Sequence, residues 1–248
     1  MNSSLQAILN MTAFIDDVLN FVKTVSSLEK HYSEILKYFI EVIKAKKNNK
    51  KNELHVAASK FHNSLRVLNE NFTTHEQQDA VEFITQFFVA LRDEFDRLGR
   101  LNNTPNPINE NVTFKLEELH ICVKCSDSLK SEREGNVFIV HIHTIKSDDV
   151  IKLQDCFVKS VSTEIIERKC NQCNSQHSKL ITKFTVLPRY LVLQLNRFQL
   201  KNRRIEKVCN TVKVQHMLNL NKMMEKENVK LPEDQGSSSI LKSQIKYD

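Results

Sequence analysis

Glycine is nearly missing from this 248-residue chain: only Gly99, Gly135 and Gly236 occur. Average usage of about 7% would give roughly 17. Three scattered glycines cannot write a phosphate-binding P-loop, a dinucleotide fingerprint or a collagenous repeat. They also make it hard to build a catalytic centre that needs bare backbone or positive φ beside the chemistry. No apolar run approaches 18 residues, so no segment is expected to span a membrane. The stretch Met1 to Asp17 lacks the basic start and small-residue cleavage site of a secretory signal. The expected compartment is therefore intracellular, cytoplasm or nucleus. In such a reducing setting, paired cysteines read as metal ligands before disulfides. The balance of 36 basic against 30 acidic residues, a net +6, is modest, and nucleic acid is not expected as a partner.

What is present falls into two textures. Leu5, Ile8 and Leu9, then Phe14, Val18 and Leu19, then Ile35, Leu36, Phe39, Ile40 and Ile43 recur at three- and four-residue steps, so residues 3–44 read as helical. The basic run Lys44-Ala45-Lys46-Lys47-Asn48-Asn49-Lys50-Lys51-Asn52 lacks periodicity and reads as a solvated loop. A second helix is expected over 54–69 and a third from Glu76. Thr74-His75-Glu76-Gln77 fits a capping box, and Ala80, Ile84, Phe87, Leu91, Phe95 and Leu98 form its apolar stripe. Gly99 is the expected stop. After Asn102-Asn103-Thr104-Pro105-Asn106-Pro107 the pattern turns to period two, in Val112, Phe114 and Leu116, in Val137 to His143, and in Leu191, Leu193 and Leu195. Helices first and strands second predict an α+β fold. Residues 221–248 lose the apolar pattern and read as a disordered tail.

Cys122-Val-Lys-Cys125 and Cys170-Asn-Gln-Cys173 are two CxxC pairs separated by 44 residues. Each turn aims two thiolates at one point, and two such knuckles complete the tetrahedral shell that Zn²⁺ prefers, with Zn–S distances of about 2.3 Å. Four protein sulfurs leave no open position, so the expected zinc is structural. The alternatives are free cysteines or a redox couple. Cys156 and Cys209 match neither pair and read as small buried hydrophobes. His141 and His143 share one strand face but have no third ligand in view, and His177 follows a shell that is already complete.

These patterns stand in an order that resembles the ubiquitin-specific proteases. Met1-Asn2-Ser3-Ser4-Leu5-Gln6-Ala7-Ile8-Leu9 is similar to the stretch just after that family's nucleophile, in a box reading roughly G-N-T-C-Y-M-N-S-x-L-Q-x-L. Gln77-Gln78-Asp79-Ala80-Val81-Glu82-Phe83 resembles its Q-Q-D-A-x-E-F helix start. Cys122, Cys125, Cys170 and Cys173 match its zinc knuckles, and Leu187-Pro188-Arg189-Tyr190-Leu191-Val192-Leu193-Gln194-Leu195-Asn196-Arg197-Phe198 its L-P-x-x-L-x-x-x-L-K-R-F strand. The resemblance implies a papain-like hand: thumb helices over 1–100, fingers over 112–185 and palm strands over 186–220. It implies ubiquitin or ubiquitinated proteins as partners, with Asp79, Gln77 and Gln78 at the cleft for ubiquitin's basic C-terminal tail. It also implies cysteine-type hydrolysis of the bond after ubiquitin's terminal glycine.

The same comparison places the nucleophile two residues before Met1, and nothing after Leu220 resembles the family's histidine box. Asn196 replaces a usual Lys, and Gln215 stands where Pro is common. The chain as written is expected to be inactive in hydrolysis. A catalytically dead ubiquitin-binding module is the alternative, with a zinc-ribbon nucleic-acid binder behind it.

Overall fold

The computed structural model describes residues 3–74, 78–100, 102–142, 150–201 and 204–220. They divide into two compact units, one running to Val112 and the other starting at Thr113.

The first unit is helical: α1 (Ser3–Leu9), α2 (Thr12–Thr24), α3 (Glu34–Lys47), α4 (Lys51–Ser64), α5 (Ala80–Gly99) and α6 (Pro107–Asn111). Phenylalanine organises it. Along α5, Phe83, Phe87, Phe88 and Phe95 are buried, at the three- and four-residue steps that line one side of a helix. Phe87 meets Phe39 of α3 edge-on at 5.1 Å and Phe61 of α4 at 5.5 Å, while Phe95 meets Phe21 of α2 at 4.7 Å. Such ring pairs add about 0.5–1.5 kcal/mol each beyond the area they bury. The one buried carboxylate of α5, Glu94, is satisfied: it accepts from the amide of Ser33 at 2.7 Å and from Arg97 Nη2 at 2.8 Å. No single described helix is long and apolar enough to cross a membrane. The pair α1 and α2 would be together, but it bends by 75° and turns Ile8, Phe14 and Val18 into the core.

Three expectations change here. The basic run is mostly helix, because α3 continues to Lys47 and α4 resumes at Lys51. Lysine is a good helix former, and Ala45 keeps the buried period of α3. Asn49 takes the left-handed turn at φ 54°. Three of the lysines are also engaged: Lys46 with Leu9 O and Asn10 Oδ1, Lys47 with Asp16, Lys50 with Glu53. The helix starts later than expected, since α5 begins at Ala80 with Asp79 as its N-cap; His75, Glu76 and Gln77 of the expected capping box lie outside the described residues. Thr74 instead donates to Asn71 O at 2.8 Å. Gly99 does end α5, but by close approach: a Cβ there would lie 2.9 Å from Thr104 O. The left-handed residue of that turn is Asn103, at φ 48°.

The second unit holds an antiparallel sheet of order β2-β1-β6-β5, from β1 (Phe114–Cys122), β2 (Ser128–Gly135), β5 (Glu164–Glu167) and β6 (His177–Val186). Alternation along β1 and β6 sends Phe114, Leu116 and Phe184 into a core shared with β3 (Val137–His141) and with Phe157 of α7 (Leu153–Ser160). β3 pairs in parallel with β7 (Val192–Asn196), with Val137 opposite Val192 and His141 opposite Asn196. The pairs β4 (Ile151–Lys152) with β10 (Val212–Lys213), and β8 (Phe198–Lys201) with β9 (Arg204–Lys207), complete it.

Cys209 departs from expectation, since it is exposed and lies between β9 and β10. Arg197 Nη1 donates to the carbonyls of Val208 at 3.2 Å and Asn210 at 2.9 Å, and Val208 N donates to Arg197 O at 2.6 Å, so the chain on both sides of Cys209 is tied to Arg197. His216 falls in irregular chain after β10. The stretch 221–248 lies outside the described residues.

Candidate functional site

β1 ends on Cys122, and the chain turns through Val123 and Lys124 to Cys125 before β2 begins. Cys170 and Cys173 sit in a turn between β5 and β6. The register of β1 against β6 places Cys122 opposite Ser178, so both turns occupy one end of the sheet. They share one set of bonds. In the first, Cys122 N donates to Asp127 O, Ser126 N to Cys122 O, and Lys124 N to Cys122 Sγ at 3.4 Å. In the second, Cys170 N donates to Ser175 O, Asn174 N to Cys170 O, and Gln172 N to Cys170 Sγ at 3.4 Å. The residue after each second cysteine has positive φ, Ser126 at 59° and Asn174 at 58°. The left-handed corners that glycine usually supplies are made here by a serine and an asparagine, short polar side chains that tolerate the region.

The four Sγ atoms lie within 4.8 Å of one another. Across the two knuckles, Cys122 Sγ is 3.5 Å from Cys173 Sγ, and Cys125 Sγ is 3.6 Å from Cys170 Sγ. A metal bonded to four sulfurs at about 2.3 Å in a tetrahedron sets S···S edges of about 3.8 Å, so the donor set fits a cation of that size. Electrostatics point the same way. The backbone amide of Cys125, then that of Lys124, pull the Cys122 thiol down to about 6, with Cys173 helping and burial opposing. At Cys125 the amide of Asp127 favours the thiolate, but Cys173, burial, Cys122 and Cys170 outweigh it and push the group up to about 12. One sulfur ionises readily and its neighbour then resists, so four thiolates need a cation between them. Among the described residues this is the one place where three or more potential metal-ligating side chains converge. His177 is not among them; its carbonyl accepts from Val123 N at 3.3 Å. His141 is exposed, with Nδ1 3.2 Å from Asn196 Nδ2, and His143 lies outside the described residues.

A second set of candidates sits at the start of α5. Asp79 is exposed, and its Oδ1 accepts from Val81 N at 2.7 Å and Glu82 N at 3.2 Å. The helix N-terminus favours that carboxylate. Gln78 is half-buried and gives its Nε2 to Thr74 Oγ1 at 3.2 Å; Gln77 lies outside the described residues. Glu82 is a residue the sequence reading passed over. It is the next carboxylate on this helix turn, held by Asn69 Nδ2 and Gln86 Nε2 at 3.0 Å each. The three-residue step from Asp79 was the available signal.

Neither remaining cysteine is set up as a nucleophile. Cys156 is buried in the core of the second unit. The Cys209 thiol has Lys207 O as acceptor at 3.7 Å, and a carbonyl oxygen cannot take up its proton.

Comparison with known proteins gives this arrangement a context. Residues 1–237 match the family model for ubiquitin carboxyl-terminal hydrolase. Among curated relatives, ubiquitin carboxyl-terminal hydrolase 37 of Mus musculus is 22% identical over 80% of this chain and 22% of its own length. Ubiquitin carboxyl-terminal hydrolase 29 of Mus musculus is 23% identical over 94% of this chain and 28% of its own length. Among solved structures, the SAGA DUB module Ubp8/Sgf11/Sus1/Sgf73 bound to monoubiquitin matches with a TM-score of 0.69 at 18% identity, covering 92% of this chain and 52% of that one. The chain thus spans about a quarter of the length of these curated relatives and about half of the solved chain. The α+β architecture is that of the matched catalytic domain. By its match over nearly all its length, the chain belongs to the ubiquitin carboxyl-terminal hydrolase family, as a deubiquitinase-family domain of the ubiquitin-specific protease type.

Proposed function

We propose that this chain is the ubiquitin-holding part of a cysteine-type deubiquitinating domain. The observation that carries the reading is the family match over residues 1–237. The four-cysteine cluster holds one structural zinc, gripped by Cys122, Cys125, Cys170 and Cys173. The chemistry of the donors favours that ion, since four thiolates in tetrahedral array suit zinc and leave no site for substrate. Zinc there supplies no catalysis. It ties the β1–β2 turn to the β5–β6 turn, so that the end of the sheet meets ubiquitin as a fixed surface. At the other recognition element, Asp79 offers a carboxylate already held by two amides. Such a preset acceptor suits the arginines of ubiquitin's C-terminal tail, with Gln77 and Gln78 shaping the same cleft and Glu82 adding a second charge.

The chemistry proposed for the whole protein is attack of a cysteine thiolate on the carbonyl of ubiquitin's terminal glycine. The amine leaves, and water hydrolyses the thioester. The resemblance of Met1–Leu9 to the stretch just after the family's nucleophile supports a thiolate two residues upstream of Met1. Titrating isotopically labelled ubiquitin with the purified chain tests the binding half. Shifts confined to the C-terminal tail and one face of ubiquitin are expected, and no shift at millimolar concentration counts against the reading.

The second reading is a ubiquitin-binding module without hydrolysis, favoured by the burial of Cys156 and the inert contact of Cys209. It keeps the binding result and differs at the genome. An in-frame Gly-Asn-Thr-Cys-Tyr-like stretch just upstream of Met1 supports the enzyme, and its absence supports the module. Either reading suits a reducing compartment, cytoplasm or nucleus.

A further inference from the structure

The four sulfurs are not equivalent. Cys122 and Cys170 are buried, Cys125 is exposed and Cys173 is half-exposed. Two of the close contacts join a buried sulfur of one knuckle to an accessible sulfur of the other: Cys122 to Cys173 at 3.5 Å, Cys170 to Cys125 at 3.6 Å. Each accessible sulfur therefore has a resolving partner next to it, on a different turn of chain. Within each knuckle, by contrast, the first sulfur is fixed by an amide of its own turn, Lys124 N on Cys122 and Gln172 N on Cys170.

We propose that this cluster is a peroxide-responsive site: oxidation converts it from a metal-bound tetrathiolate into two cross-knuckle disulfides, Cys122–Cys173 and Cys125–Cys170. The inference rests on the metal-binding reading of the cluster. Cys125 and Cys173, the sulfurs that solvent reaches, attack hydrogen peroxide first. The sulfur takes one oxygen to become a sulfenic acid, the O–O bond breaks, and hydroxide leaves. The buried thiolate beside it then attacks that sulfur, forming the S–S bond as the S–O bond breaks and a second hydroxide leaves. Each pair is oxidised by two electrons and consumes one peroxide. Two peroxides thus convert four thiolates into two disulfides and four hydroxides, and the cation is released because no thiolate is left to hold it. Because both new bonds run between the turns, the two knuckles stay tied after the metal has gone. Oxidation within each CxxC would untie them.

The sequence supplies a direct readout. Lys124 separates Cys122 from Cys125, while no basic residue lies between Cys170 and Cys173. After trypsin, residues 116–124 and 125–130 carry one knuckle cysteine each, and residues 170–179 carry two. The experiment treats the full chain bearing Cys209→Ser, loaded with zinc, with hydrogen peroxide. Zinc release is followed with a chromogenic chelator, and the quenched sample is mapped by mass spectrometry without reduction. The expected result is one zinc released per two peroxides consumed, and one species joining all three peptides. Its fragments should assign Cys122 to Cys173 and Cys125 to Cys170, and thiol reductant with zinc should restore the starting state. Three results overturn the proposal. One is 116–124 joined to 125–130 with a loop closed inside 170–179. Another is zinc loss with sulfinic or sulfonic acids and no disulfide. The third is zinc retained after excess peroxide. If the protein carries no zinc at the outset, it is the metal reading that fails, and mapping of the oxidised chain still decides the pairing.

Discussion

Gly135 faces Phe114 directly across the β1–β2 pair, so close that a Cβ on Gly135 would lie 2.8 Å from the Phe114 ring. One of the three glycines is therefore held by an aromatic ring packed onto bare backbone. Phe114 also meets Phe138 at 5.8 Å and Phe184 at 5.6 Å, the central rings of the second unit. Gly135→Ala should push the ring off its site and cost about 1–3 kcal/mol, the usual range for overpacking. The urea midpoint of the second unit reads this directly, and an unchanged midpoint would mean the ring moves freely.

Asp79 carries two separable roles. Asp79→Ala removes the cap and should cost about 1 kcal/mol of stability in the first unit. Asp79→Asn keeps a capping oxygen and should leave stability within a few tenths of a kcal/mol, while weakening ubiquitin binding through loss of charge. Thermal unfolding checks the first statement and ubiquitin titration the second. Equal ubiquitin affinity in wild type and Asp79→Asn would assign Asp79 to the helix alone.

Metal analysis should return one zinc per chain. Cys125→Ser should abolish it, and chelation of the wild type should broaden resonances of the β1–β2 and β5–β6 turns while leaving the first unit folded. Binding should weaken on acidification, since protons compete for the thiolates. A chain that binds no zinc at neutral pH would overturn the assignment of the ion.

Tyr32 gives a pH dependence of known sign. Its hydroxyl donates to Val22 O and Val25 O, each at 3.2 Å. Burial first, then Glu29 and Glu94, raise the group above its usual 10.0. A raised folded value means the contribution is full below pH 10.0 and is lost as pH rises through the folded value. Tyr32→Phe should cost about 1 kcal/mol at neutral pH and should remove this part of the alkaline loss. Denaturant midpoints between neutral and strongly alkaline pH, for both proteins, are the measurement.

Lys46 closes the end of α1 by donating to Leu9 O at 3.1 Å and Asn10 Oδ1 at 2.8 Å. Lys46→Met should keep the packing stem and remove both bonds, costing about 1 kcal/mol. The amides of α1 should then exchange faster in hydrogen exchange.

The sequence alone determined the apolar periods. Three- and four-residue spacing placed Phe87, Leu91, Phe95 and Leu98 on the buried face of α5, and period two marked β1, β3 and β7. Two CxxC pairs announced a thiolate shell, because ligand type and short spacing are local properties. Tertiary structure decided what depends on partners far along the chain. A run of lysines looks the same whether solvated or used, and only the proximity of Leu9, Asp16 and Glu53 shows that Lys46, Lys47 and Lys50 are engaged. Thr74 and Asp79 both had the chemistry of a cap, and the turn ending at Thr73 took the threonine and left the aspartate to the helix. The shortage of glycine was visible in composition. Its meaning was not, because close approach and handedness are set by what packs against a residue. Gly99 and Gly135 stand where backbone or ring comes too near for a Cβ. The four left-handed corners among the described residues fell to Asn49, Asn103, Ser126 and Asn174, two of them in the knuckles that bring four distant cysteines to one point.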